Sequence, residues 1–185
     1  MPINNSPVHT IGHSNHAIAV FLEMLRSHGI ETLVDIRSVP NSRYNQQFRQ
    51  EALRQALQES GITYHHMQSL GGKRPARKDS PNLGFRQGGG FQGYADYMQT
   101  PAFDEALKSL IALSDRTRCA IMCAEKLPEN CHRSLVSDAL SMKAVQVLHI
   151  MPGKKSMPHI PTPFLTRKGD GIYYPSPKLQ GDLFV

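Results

Sequence analysis

The chain has 185 residues, 39% of them hydrophobic and 19% charged, with three cysteines and a formal net charge of +6. That length supports one domain with a proper core, and no apolar run reaches the 18 or more residues that a membrane helix needs, so no membrane partner is expected. The basic balance favours partners that carry phosphate, either nucleotides or nucleic acid.

The pattern along the chain alternates between two periods. Residues Val8 to Gly12 read as a short apolar strand, and Ser14 as the cap of a helix with an apolar stripe of Ile18, Phe21, Leu22 and Leu25 that Gly29 ends. Glu31 to Arg37 form a second strand, stopped before Pro40. Phe48 to Ser60 repeats the helical spacing through Leu53, Ala56 and Leu57, and Ile62 to His65 reads as a third strand. Strands alternating with helices argue for parallel strands joined by right-handed crossovers.

Residues 70–93 break the pattern. They are rich in glycine and basic, with Lys73, Arg74, Arg77, Lys78 and Arg86. The segment lacks the Walker pattern and does not sit between a strand and a helix, so a phosphate-cradling ATP loop is not expected. It suits a flexible lid or a phosphate-backbone contact. Two helices follow, the first over Tyr94 to Thr100 and the second from Pro101 through Phe103, Leu107, Leu110 and Ile111. Arg118 to Cys123 is a fourth strand, Cys131 to Lys143 a helix, and Val145 to Ile150 a fifth strand. Prolines then punctuate a tail without periodicity. The expectation is a three-layer α/β sandwich over residues 6–152, with a mostly parallel Rossmann-like or flavodoxin-like sheet, and an extended Pro-rich arm over residues 153–185.

In open α/β sheets, ligands gather beyond the carboxyl ends of the strands. His13 and Ser14 follow the first strand; Asp35, Arg37, Ser38 and Arg43 lie at and beyond the end of the second; Cys123, Glu125, Cys131, His132 and Arg133 follow the fourth. Ionisable residues from three segments converge there, and core packing does not produce such a set, because each charge must be solvated or paired. A helix start favours an anion and a thiolate. Arg37, Arg43 and Arg133 offer donors for phosphate, Cys123 or Cys131 a nucleophile, and His132, His13 or Glu125 a proton-transfer group. Bland readings stand beside these. Cys119, inside an apolar strand, reads as a small core residue, Asp35 and Arg37 as a structural ion pair between adjacent strands, and His132 as a helix cap.

Cys123, Cys131, His132 and His13 also make a possible Cys₂His₂ metal set, although the Cys-x₇-Cys-His spacing matches no standard zinc motif. No cofactor is indicated by any motif. At the chain end, Gln180, Leu183 and Phe184 stand in a pentapeptide that resembles the bacterial sliding-clamp binding motif, in which an extended tail inserts Leu and Phe into apolar pockets. The N-terminus has no basic and apolar regions of a secretory kind, and three cysteines without framework spacing fit a reducing compartment, so a cytoplasmic location is expected.

Thr10-Ile-Gly-His-Ser14, Asp35-Ile-Arg-Ser-Val-Pro40 with Ser42-Arg43, Leu70-Gly-Gly72, Gly93-Tyr-Ala95 and Met122-Cys-Ala-Glu125 with Cys131-His-Arg133 together resemble the DUF488 family over about residues 8–150. The resemblance implies an α/β fold with these motifs around one cleft, and no reaction. His16 stands where the family's pattern has Arg, and Arg49 where it has Asn. The combined expectation is an enzyme acting on a phosphate-bearing substrate. The alternatives are a nucleic-acid-binding accessory factor recruited through its tail, and a metal-binding module.

Overall fold

A computed structural model describes residues 6–153 and 155–176 of the protein. Among these the main sheet has six strands: β1 (Val8–Gly12), β2 (Thr32–Asp35), β3 (Thr63–His66), β4 (Cys119–Cys123), β5 (Val147–Met151) and β6 (Lys155–Pro158). Their spatial order is β3-β2-β4-β1-β5-β6. The first five are parallel, and β6 runs antiparallel to β5. The chain leaves β1 in one direction to reach β2 and β3, then returns to insert β4 between β2 and β1. That reversal is the kind of switch point at which open α/β sheets open a crevice.

Each side of the sheet has its own core, as alternating side chains require. Helices α1 (Ile18–Ser27) and α2 (Gln50–Glu59) cover one face, where Phe21, Leu25, Leu53 and Leu57 meet Ile11, Leu33 and Met122. Helices α3 (Gly90–Tyr97), α4 (Pro101–Ser114) and α5 (Arg133–Met142) cover the other, where Tyr94, Leu110 and Val136 meet Val34, Ile121 and Val147. Thr100 caps α4 through its hydroxyl, with Pro101 opening the helix. The arrangement is a Rossmann-like α/β sandwich with a mixed, mostly parallel sheet and a C-terminal extension. No helix among the described residues is long and apolar enough to cross a membrane.

Three local expectations give way. Ser14 does not cap α1, whose N-cap is Ala17. Ser14 instead takes a left-handed conformation, φ 48°, and its N–H donates to the Ala124 carbonyl at 2.8 Å. The basic Gly-rich segment is organised by one carboxylate: Asp96 accepts from the Arg77 backbone N–H, the Ser80 hydroxyl and the Asn82 amide. The tail is not wholly irregular. It contributes β6 and a hairpin of β7 (Thr166–Lys168) and β8 (Gly171–Tyr173), and it zips onto the Gly-rich segment through bonds between Tyr174 and both Asn82 and Gly84. The contact of Tyr174 with Asn82 has no local signal, because the two lie 92 positions apart.

Candidate active site

Strand ends and one helix start bring the reactive groups together. Cys123 is the last residue of β4, Ile36 follows β2, and Cys131 and His132 directly precede α5. Both thiols are buried. His132 Nδ1 lies 3.6 Å from Cys123 Sγ and 3.7 Å from Cys131 Sγ. His132 Nε2 lies 3.1 Å from the Ile36 carbonyl oxygen. A carbonyl only accepts, so Nε2 carries the proton, and in the neutral ring the Nδ1 lone pair faces both sulfurs. Although His132 occupies the N-cap position of α5, its side chain makes no cap bond.

Packing fixes this imidazole. The Tyr94 ring stands 5.0 Å away, centroid to centroid. On the other side, the Gly72 backbone comes so close that a Cβ there would overlap Nδ1. Gly12 meets the same requirement at the end of β1, where a Cβ would run into the Glu125 carbonyl. These two close approaches give a physical reason for glycine at both positions.

The two thiols influence each other. The hydrogen bond from Cys123 holds the Cys131 thiol well below its usual range, with help from His132 and Arg133 against the effect of burial. The same bond, together with burial, pushes Cys123 up. Cys119 is different: buried inside β4, it is pushed up to about 12 by desolvation and packs as a small core residue.

Cys123, Cys131 and His132 line a cavity of about 300 Å³, with Ser38, Lys73 and Glu125 also on its wall. A neighbouring cavity of about 460 Å³ shares Arg37, Val39, Ala124 and Glu125 with it. The second one is lined by Ser14, Asn15, Asn41, Ser42, Asn45 and Lys126. Ser38 accepts the Lys73 backbone N–H through its hydroxyl at 2.9 Å. Arg43 is exposed on the loop that borders the second cavity.

Other expected residues are engaged in bonds inside the protein. Arg37 donates from Nε and Nη2 to the two oxygens of Asp35, at 2.9 and 2.6 Å. Its Nη1 donates to the Phe48 carbonyl at 2.8 Å and lies 3.3 Å from His13 Nε2. Four of its five N–H groups are engaged inside the protein, and Tyr64 adds a bond to Asp35. Asp35 and Arg37 therefore form a buried pair at the end of one strand, not between adjacent strands. Arg133, 1% exposed, donates to the Glu125 and Lys126 carbonyls. It holds the loop between β4 and α5, which leaves Lys73 and Lys126 as the lysines on the cavity walls.

His13 lines the second cavity. Its Nδ1 donates to the Ser14 carbonyl at 2.8 Å, and its ring stacks on Phe48 at 4.3 Å. Burial pulls its pKa down to about 4, which favours the neutral ring near pH 7. It is also absent from the group that brings potential ligand atoms within 4.8 Å of one another, which is Cys123, Cys131 and His132 alone among the described residues. Gln180, Leu183 and Phe184 lie outside the described residues.

One polar cluster is invisible in the reading of the motifs. Asp138 on α5 accepts from His159 Nε2, the Thr162 N–H and hydroxyl, and the Tyr174 hydroxyl. His159 Nδ1 in turn accepts from His149 Nε2 at 3.0 Å, and His149 Nδ1 from the Thr10 hydroxyl at 2.7 Å. The available signal was Asp138 itself, a carboxylate between Leu135, Val136, Ala139 and Leu140 on a buried helix face.

A parallel-sheet α/β protein with a thiol and imidazole cluster at its strand ends is the class that fold and site define. The family model described as "Domain of unknown function DUF488" matches residues 17–140, and the chain belongs to that family. No curated protein and no solved structure matches the chain.

Proposed function

We propose that the protein is an enzyme that acts on a phosphate-bearing substrate, a nucleotide or nucleic acid, with Cys123, Cys131 and His132 as its reacting centre. The observation that carries this reading is the single imidazole nitrogen facing two buried thiols at the wall of an open cavity. Coupled titratable groups that converge on a cavity wall are where chemistry is sought.

The anion preference comes from lysines more than from the expected arginine clamp. Lys73 and Lys126 border the two cavities, within a chain of net charge +6. Tyr44, 95% exposed beside Arg43, offers a free aromatic face for base stacking. The Asn- and Ser-lined second cavity supplies neutral donors and acceptors for a sugar or base. Glu125, on the wall of both cavities, is the carboxylate placed to move a proton.

The test is a titration with single-stranded and duplex DNA and RNA across a salt series, followed by product analysis on oligonucleotides and free nucleotides. The reading expects binding that weakens steeply with salt, weaker binding by Lys73→Ala/Lys126→Ala, and turnover that disappears in Cys131→Ser. Absence of binding and of turnover with every phosphate-bearing compound retires it.

A further inference from the structure

We propose that Cys123, Cys131 and His132 bind a zinc ion, with the fourth position supplied from the cavity. The proposal deepens the functional reading, since it rests on this cluster being the reacting centre. Three observations converge on it. First, in a tetrahedral zinc site with Zn–S near 2.3 Å and Zn–N near 2.0–2.1 Å, the sulfur-to-nitrogen separation is about 3.6 Å. The separations here are 3.6 and 3.7 Å, and all three ligand atoms lie within 4.8 Å of one another.

Second, His132 is already oriented as a metal ligand. Its far nitrogen is anchored to the Ile36 carbonyl at 3.1 Å, the backbone partner that fixes a ligating imidazole and its tautomer. Third, the donor set itself suits the ion. Two thiolates and an imidazole are the donors that zinc prefers over hard cations.

All three side chains line the cavity, so the site is open in the manner of a catalytic zinc and not closed in the manner of a structural one. A zinc-bound water at neutral pH is a ready nucleophile. In hydrolysis, that water gives a proton to the Glu125 carboxylate, its oxygen forms the bond to phosphorus, the ester bond breaks, and Glu125 returns the proton to the departing oxygen.

The experiment uses the full-length, reduced and chelator-stripped protein, with Zn²⁺ and Co²⁺ alone as probes. Cobalt titration should saturate at one ion per chain with a thiolate-to-cobalt charge-transfer band. Zinc should slow iodoacetamide labelling of Cys123 and Cys131, located by peptide mass mapping, by more than about tenfold. Cys123→Ser and Cys131→Ser should each weaken zinc binding by more than about 100-fold. The labelling measurement needs no variant, so it holds even where a variant fails to fold. Failure to take up stoichiometric metal, or labelling unchanged by zinc, overturns the site. The probes contain no substrate, so the two readings fail separately. Zinc binding without turnover of any phosphate-bearing compound retires the functional reading and leaves the site. Turnover by the metal-free protein retires the site's catalytic part and leaves the functional reading.

Discussion

Two histidine clusters touch helix α5, and they differ in the groups their imidazoles meet: a carboxylate and a hydroxyl in one, two thiols in the other. In the Asp138 cluster every donor has an acceptor: the carboxylate takes four hydrogen bonds, and the two imidazoles pass a directional chain back to Thr10. It borders a cavity of about 390 Å³ through His149 and His159, yet it presents no unused ring nitrogen to it. In the thiol cluster one nitrogen faces two sulfurs that also bond each other, and the neighbouring Arg133 Nε has no hydrogen-bond partner among the described residues. A fully satisfied network fixes a fold, because any change strands a buried group. Thiols and an imidazole at a cavity wall keep lone pairs that a ligand can use.

The contrast breaks first at Asp138. Replacing it with Ala strands the His159, Thr162 and Tyr174 donors inside the protein and should cost about 3–5 kcal/mol in urea unfolding. A loss below about 1 kcal/mol would mean that the network is not structural.

Acid should have the next largest effect. Burial lowers the pKa of His9, His13 and His149 to about 4. Their charged neighbours are His28 and Arg118 for His9, Arg37, Asp35 and His16 for His13, and His159, Arg133 and Asp138 for His149. A histidine whose folded pKa lies below its unfolded value binds its proton more readily in the unfolded chain. The stability tied to it is therefore present above pH 6.5, falls as the pH drops towards 4, and falls no further below that. After allowance for solvent screening, each should contribute on the order of 1 kcal/mol across this window, read as a declining melting temperature. A melting temperature flat from pH 7 to 4 would show that these rings are not held neutral.

A smaller effect sharpens the comparison from the other side. Gly72→Ala drives a methyl group into the space beside His132 Nδ1 and should destabilise by about 1–3 kcal/mol through overpacking. It should also displace the imidazole from the sulfurs, so that thiol labelling rates change while the Asp138 network keeps its contribution. Unaltered labelling would show that the ring position does not govern the thiols.

The alternation of strand and helix was legible because periods of 2 and 3.6 are local properties of the sequence. So was the clustering of Cys123, Cys131 and His132, since strand ends in a parallel sheet meet at one edge. The pairing of Asp35 with Arg37 was one reading of the sequence, but the carbonyl partners of Arg37 and Arg133 were not legible. A guanidinium pairs with whatever carbonyl the loop path brings near, here those of Phe48, Glu125 and Lys126, and no periodicity encodes that path. His159 was hidden for a related reason: it sits among prolines and finds Asp138 on a helix 21 positions earlier. The tail peptide with Gln180, Leu183 and Phe184 lies outside the described residues.

The most direct test of the contrast is stability and turnover of Cys131→Ser measured on one preparation. The account predicts unfolding within about 1 kcal/mol of the parent, because serine keeps a hydrogen-bond donor and acceptor at that position, together with loss of turnover on phosphate-bearing substrates. A variant that unfolds several kcal/mol more easily, or that turns over substrate at the parent's rate, would contradict it.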